Sequence, residues 1–183
     1  MEQLIYRLNL PPLEECILDG VKEKYFNDHS NPYYISIRPQ TFFKSEYLTL
    51  KNLNWEGILI FFRKHNMIGK LHTDTVDFDQ TIWGINWIYN GCGLMEFWNM
   101  NQFEEKDIHF CIDSQGFHTY QFNESIPPNV KYFLKPGAYL VNTTGPHRAT
   151  GIGNRYCISY RQGNFQPSWK DVVDLFKDLI VDF

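Results

Sequence analysis

The sequence lacks the features that mark membrane, secreted or strongly basic proteins. No stretch of the 183 residues approaches the roughly 18 consecutive apolar residues of a membrane-spanning helix. Residues 1–10 contain no apolar segment of the kind found in a secretory signal. The 17 Lys and Arg are balanced by 21 Asp and Glu, for a formal net charge of -4, so there is no overall positive charge to bind phosphates. We therefore expect a cytoplasmic protein that does not bind membranes, and the charge balance argues against nucleic acid as a partner.

Cysteine is also scarce, and the four cysteines are scattered without a C-x-x-C pair: Cys16, Cys92, Cys111 and Cys157. This usage predicts free thiols in a reducing compartment. Internal repeats, low-complexity segments and Pro/Gly/Ser-rich linkers are absent as well. At roughly 100–200 residues per domain, the sequence predicts a single domain over residues 1–183.

Aromatic residues, in contrast, are abundant. The 15 Phe, 11 Tyr and 5 Trp make up 17% of the chain, which favours strands because aromatic rings pack well on pleated surfaces. Between Tyr33 and Arg161, short apolar runs alternate with Gly, Pro, Asn and Asp, as is typical of a β protein. The predicted strands are 33–38, 57–63, 68–74, 81–89, 93–99, 108–112, 117–122, 131–135, 138–143 and 155–161.

Helical spacing occurs only at the two ends of the chain. Pro11-Pro12 precedes apolar residues at helical intervals, which predicts a helix over 11–28. After Ser168, a suitable N-cap residue, apolar residues recur at helical intervals and form a stripe. This pattern predicts a second helix over 168–182. Ten short strands between two helices predict a mostly β protein, a jelly roll or β-sandwich with flanking N- and C-terminal α-helices.

Two of the six histidines have neighbours that suggest a metal site. Within a strand, residues i and i+2 face the same side, so His72 and Asp74 would present an imidazole and a carboxylate together. His147 follows the end of a predicted strand. Two His and one carboxylate form the facial triad of non-haem Fe(II) oxygenases, which leaves positions for a co-substrate and O₂. His72, Asp74 and His147 are therefore candidate metal ligands and catalytic residues.

The last predicted strand has an unusually polar face, formed by Arg155, Cys157, Ser159 and Arg161. Buried cations and hydroxyls are costly unless they bind an anion. Arg pairs with carboxylates through two parallel hydrogen bonds, so this face favours a dicarboxylate co-substrate.

These residues, in this order, resemble the Fe(II)- and 2-oxoglutarate-dependent dioxygenases, with an H-x-D pair, a distal His and then an Arg. Residues 81–90 (TIWGINWIYN) and 91–98 (GCGLMEFW) are similar to segments of prolyl-hydroxylase-type members, and the resemblance covers about residues 57–161. It implies a double-stranded β-helix, a cupin-like jelly roll, with Fe(II), 2-oxoglutarate and O₂. The implied reaction hydroxylates a small molecule or a protein side chain and releases succinate and CO₂.

The resemblance also implies roles for three residues of the polar face. Arg155 would pair with the distal carboxylate of 2-oxoglutarate, and Ser159 would donate its hydroxyl to the same group. Arg161 resembles a second Arg of the oxidative nucleic-acid demethylases, which approaches the carboxylate nearer the metal. Asn86, on the predicted strand 81–89, would face inward toward the pocket and needs a polar partner there.

Two alternatives stay open. Arg161 occupies a place where prolyl-hydroxylase-type enzymes carry Trp, which suggests a demethylase of alkylated nucleobases, although the pI of about 5.8 counts against it. A non-catalytic jelly-roll binding or structural module is the other alternative. Within the family, the carboxylate of Asp74 favours hydroxylation or oxidative demethylation, because halogenating members lack it.

Overall fold

The computed structural model describes residues 2–10, 34–37, 55–63, 68–89, 91–112, 118–153, 155–162 and 167–182. This part of the chain is mostly β, and its one α-helix is Trp169–Phe176 (α1). Single 3₁₀ turns occur at Met100–Gln102 and Glu105–Asp107. The strands are Ile5–Leu8 (β1), Tyr34–Ile37 (β2), Trp55–Arg63 (β3), Trp83–Tyr89 (β4), Gly93–Phe97 (β5), Ile108–Ile112 (β6), His118–Phe122 (β7), Val130–Leu134 (β8), Gly137–Asn142 (β9), His147–Ala149 (β10), Arg155–Gln162 (β11) and Ile180–Val181 (β12).

The larger sheet has seven antiparallel strands in the order β12-β1-β9-β4-β11-β3-β2. Its central strand β4 is buried along almost its whole length, because both of its faces are covered. A strand covered on both faces reads as a continuous apolar run, and WGINWIY fits that pattern apart from one asparagine.

The smaller sheet consists of two parts joined by the segment around His72. One part has the order β10-β5-β8, and the other is the hairpin β6-β7. His72 pairs with Gln121 of β7 on one side and with His147 of β10 on the other. Residues 71–73 therefore lie between the hairpin and the three-stranded part.

The main core lies between the inner faces of the two sheets. Ile5, Ile88, Tyr139, Val141 and Cys157 of the larger sheet form one buried cluster with Met95, Phe97 and Leu134 of the smaller sheet. Two antiparallel sheets that share a core in this way are consistent with a β-sandwich or jelly roll.

The outer face of the larger sheet is covered by α1. Ser168 caps this helix by accepting a hydrogen bond from the Asp171 amide, and Trp169, Val172 and Phe176 are buried under it. The ring of Phe176 meets Trp83 of β4 edge-on at 5.8 Å between centroids, so Trp83 packs under this helix.

The sequence predictions differ from the structure in three places. Residues 68–74 are not a strand, since they form only isolated bridges at Ile68 and His72. The C-terminal helix ends at Phe176, and Ile180–Val181 pair with β1 where the prediction continued the helix. The strands β1 and β10 were not predicted. The predicted helix over 11–28 lies outside the described residues.

Side-chain hydrogen bonds explain why the segment 68–74 leaves the strand conformation. The hydroxyls of Thr73 and Thr75 bond to backbone groups two residues further along, at Thr75 and Asp77. Such local bonds compete with a sheet ladder for the same backbone groups. Among the described residues, no helix is long and apolar enough to cross a membrane.

Candidate metal centre

The backbone pairing of the smaller sheet places His72 beside His147. The amide of each residue donates to the carbonyl oxygen of the other, at 3.0 and 2.8 Å. Side chains of directly opposite residues project to the same side of a sheet, and the two imidazole rings lie 4.6 Å apart between centroids. Two segments far apart in sequence therefore present neighbouring imidazoles.

Asp74 completes a cluster with these two rings. Its Oδ1 lies 3.3 Å from Nε2 of His72 and 3.7 Å from Nε2 of His147. One ligand atom from each of the three residues falls within 4.8 Å of the others. This cluster could hold a metal ion, as its two nitrogens and one carboxylate oxygen would suit an iron site.

The other nitrogen of each imidazole is held by a backbone carbonyl two residues earlier. Nδ1 of His72 lies 2.8 Å from the oxygen of Lys70, and Nδ1 of His147 lies 3.0 Å from the oxygen of Gly145. A carbonyl oxygen can only accept, so each Nδ1 carries the proton in the neutral ring and donates it. The lone pair of each Nε2 is then directed at the cluster, as in metal sites whose ligand histidines are oriented by a second hydrogen bond.

The cluster is buried on one side and open on the other. The side chain of His147 is 5% exposed, against 31% for His72 and 24% for Asp74. His147 is covered by Phe97 of the main core, at 6.1 Å between ring centroids. A ligand could therefore approach the cluster from the side of His72 and Asp74.

Three buried threonines beside Asp74 are linked by hydrogen bonds, and the sequence analysis did not identify them. Thr119 of β7 donates its hydroxyl hydrogen bond to the carbonyl oxygen of Thr73, and Thr73 donates to the carbonyl oxygen of Thr75 at 2.6 Å. The only signal in the sequence is the alternation of threonine with other residues in HTDT (72–75). Thr119 belongs to a different strand, so no local pattern connects it with Asp74.

Arg155 opens β11 and is almost fully buried, with 3% of its surface exposed. Its Nη1 donates to the carbonyl oxygen of Thr150 at 3.2 Å, and its Nε has no hydrogen-bond partner within the described part of the chain. Burial lowers the pKa of the Arg155 guanidinium, and the nearby Cys157 and Tyr139 offset this only in part. The side chain is thus a buried cation without a carboxylate partner among the described residues.

Ser159 and Asn86 lie opposite each other on β11 and β4. Both are buried, and neither the Ser159 hydroxyl nor the Asn86 side-chain oxygen has a hydrogen-bond partner among the residues described. Alternation along β11 puts Ser159 on the same inner face as Arg155. Buried polar atoms without partners are uncommon in folded proteins, so this face has unsatisfied capacity to bind a polar ligand.

Arg161 is placed in the structure only by its backbone, opposite Gly84 of β4. Its side chain lies outside the described part, so its predicted role stays a prediction. The structure therefore brings His72, Asp74 and His147 into one cluster and Asn86 next to Ser159. Arg155 lies at the other end of β11 from Arg161, beside Thr150.

Comparison with known proteins yields no family assignment. No family model matches the sequence, and no curated protein matches it. A search of solved structures matches the chain to the X-ray structure of E. coli ycfD, with a TM-score of 0.49 at 13% identity. The match covers 97% of this chain and 46% of that chain, so this protein spans about half the length of that structure.

Proposed function

We propose that this protein is a non-haem Fe(II)- and 2-oxoglutarate-dependent oxygenase built on a double-stranded β-helix. The observation that carries the proposal is the cluster of His72, Asp74 and His147, with both Nε2 atoms directed at one carboxylate oxygen. Three ligands on one side of an ion leave the remaining positions for a co-substrate and O₂. The open side of the cluster supports this arrangement.

The buried polar face of β11 supports 2-oxoglutarate as the co-substrate. Arg155 needs an anion, because a buried guanidinium without a counter-charge is costly. Ser159 and Asn86 offer further polar atoms on the inner face of the same sheet. Arg155 and Ser159 would donate hydrogen bonds to the second carboxylate of a dicarboxylate whose other end chelates the metal.

In the proposed reaction the protein would bind the metal and the co-substrate and exclude water. Bound Fe(II) would supply the activation of O₂, coupled to oxidative decarboxylation of 2-oxoglutarate. His72, Asp74 and His147 would hold the ion, and Arg155 would orient the co-substrate. The apolar core around Phe97 and Met95 would keep water away from the buried side of the site.

The first test is an anaerobic titration of the metal-free protein with Fe(II) and then with 2-oxoglutarate. We expect a visible metal-to-ligand charge-transfer band that requires both additions, and we expect His72→Ala to lose it. His109→Ala is the matched control, since His109 is an exposed imidazole on β6 outside the cluster. A folded protein that binds Fe(II) without giving the band would rule out 2-oxoglutarate chelation and leave a metal-binding module.

A further inference from the structure

Asp74 is the one ligand of the cluster that no regular strand holds in place. His147 belongs to β10, and His72 is paired on both sides through its backbone. Asp74 follows these pairs in a segment without strand structure. Its carboxylate must nevertheless lie between two Nε2 atoms, so another feature has to fix its backbone.

Two carbonyl groups that flank Asp74 are held by threonine hydroxyls. The carbonyl of Thr73 belongs to the peptide bond that leads into Asp74, and it accepts the hydroxyl hydrogen of Thr119. The carbonyl of Thr75 follows Asp74 and accepts the hydroxyl hydrogen of Thr73 at 2.6 Å. The peptide unit that leads into Asp74 and the peptide unit that follows Thr75 are thus both anchored.

Burial makes these hydrogen bonds effective. Thr73 is fully buried, and Thr75 and Thr119 are each 8% exposed, so water has little access to compete for their hydroxyls. The hydroxyl of Thr73 also accepts from the amide of Tyr120 at 3.3 Å, which ties it to β7 a second time. Hydrogen bonds thus run from Thr119 to Thr73 and from Thr73 to Thr75, and we call these three residues the threonine relay. The relay links the β6-β7 hairpin to the segment that carries Asp74.

We infer that Thr119 and Thr73 are positioning residues for Asp74, which set the affinity and geometry of the metal site without touching the metal. The inference rests on the proposed function only in its use of the metal cluster. Hydrogen-bonding partners behind a ligand commonly change metal affinity by about 10–100-fold when they are removed. The relay also makes the β6-β7 hairpin part of the metal site, although neither strand contributes a ligand.

The test compares variants that keep the side-chain shape with variants that keep the hydroxyl. Thr119→Val retains the branched shape and loses the donor, whereas Thr119→Ser retains the donor. We expect Thr119→Val to weaken Co(II) binding by about 10-fold or more and to change the visible Co(II) spectrum, while Thr119→Ser stays near wild type. Thr73→Val and Thr73→Ser repeat the comparison if Thr119→Val does not fold.

A stability control separates positioning from a general loss of structure. Ser168→Ala also removes a hydroxyl that bonds to a backbone amide, but it acts at the cap of α1 on the outer face of the larger sheet. We expect this variant to melt earlier and to bind Co(II) like wild type.

The possible outcomes separate this inference from the proposed function. Wild-type Co(II) affinity and spectrum in a folded Thr119→Val protein would overturn the relay and leave the proposed function intact. Metal binding without the 2-oxoglutarate band would overturn the proposed function and leave the relay intact. A wild-type protein that binds no metal would overturn both.

Discussion

At the scale of single residues, the site holds two charges that a ligand would complete. The Nε2 lone pairs of two neutral imidazoles face the carboxylate of Asp74, so a metal bound among the three residues would supply the opposite charge. Arg155 is buried next to a neutral carbonyl group, without a carboxylate partner among the described residues. A buried charge that has no opposite charge costs stability, and evolution tolerates that cost mainly where a ligand completes the site.

We expect Arg155→Met to separate binding from stability. Methionine fills a similar volume without a charge, so the free energy of unfolding should stay the same or rise. Affinity for 2-oxoglutarate should fall by about 2–4 kcal/mol, since a buried charge pair is lost. Urea unfolding gives the first quantity, and titration of the charge-transfer band gives the second.

Arg148 provides the matched control for that substitution. It is the residue after the ligand His147, but its guanidinium pairs with Glu96 at 2.7 Å and not with the inner face. Arg148→Met should therefore lower stability and leave 2-oxoglutarate affinity unchanged. Equal co-substrate affinity in the Arg155→Met and wild-type proteins would remove Arg155 from the co-substrate site.

At the scale of secondary structure, the sequence patterns predicted the main strands of the larger sheet. They did not predict the pairings that hold the smaller sheet together. The strands β4, β9 and β11 lie within two residues of their predicted bounds, because their apolar runs are continuous and end at turn residues. The strand β10 has only three residues, HRA, and lacks the alternation of apolar and polar residues that marks a strand. Its pairing depends on partners distant in sequence, which local patterns do not report.

The same limit applies to the candidate site. The prediction placed His72 and Asp74 on a regular strand, and that local structure was wrong. The cluster was nevertheless found, because the residue types and their order carry the information. The threonine relay was missed because it joins residues 73 and 119 through a long-range contact.

A charged ladder crosses the outer face of the smaller sheet. Arg148 on β10, Glu96 on β5 and Lys131 on β8 are directly opposite in the register, and Glu96 is bonded to both cations. Burial alone would raise the pKa of Glu96, but the hydrogen bonds and charges of Arg148 and Lys131 outweigh it and hold the pKa below 4.5. The ladder thus links β10 to β5 and β8.

We expect Glu96→Gln to change the pH dependence of stability. A carboxyl whose pKa is lower in the folded state stabilises the protein above its unfolded pKa, and this contribution is lost as pH falls through the folded value. The variant should therefore be less stable at pH 7, by about 1.5–3 kcal/mol, and the difference should shrink below pH 4.5. Urea unfolding of both proteins between neutral and acidic pH measures this, and a difference that is constant with pH would contradict it.

Gly93 at the start of β5 allows the close approach of Thr150. A Cβ at this position would overlap the Thr150 carbonyl oxygen, the atom that accepts from Arg155, and would lie 3.2 Å from Nη1 of Arg155. We expect Gly93→Ala to lower the free energy of unfolding by about 1–3 kcal/mol and to weaken 2-oxoglutarate binding. Gly145→Ala is the stability control, because its Cβ would meet only the Trp98 carbonyl oxygen, at 3.9 Å. Equal unfolding energies for the two variants would contradict the prediction.

At the scale of the whole molecule, the metal cluster lies where separate parts of the smaller sheet meet. His72 bridges the hairpin β6-β7 to β10, and His147 packs against Phe97, whose cluster includes residues of the larger sheet. A metal bound to His72, Asp74 and His147 would strengthen the connection between the hairpin β6-β7 and β10, which otherwise depends on a few backbone hydrogen bonds at His72. Metal binding should therefore stabilise the fold as a unit.

We expect a non-oxidising divalent ion such as Co(II) to raise the melting temperature of the metal-free protein. A ligand at 100 times its dissociation constant adds about 2.7 kcal/mol, which for a domain of this size corresponds to a rise of roughly 5–10 °C. Anaerobic thermal melts with and without the ion measure this, and EDTA should reverse it. The rise should vanish in His72→Ala and in His147→Ala and persist in His109→Ala. A rise that survives both cluster variants would mean that the stabilising ion binds elsewhere, because only a site built from both segments can couple the hairpin to β10.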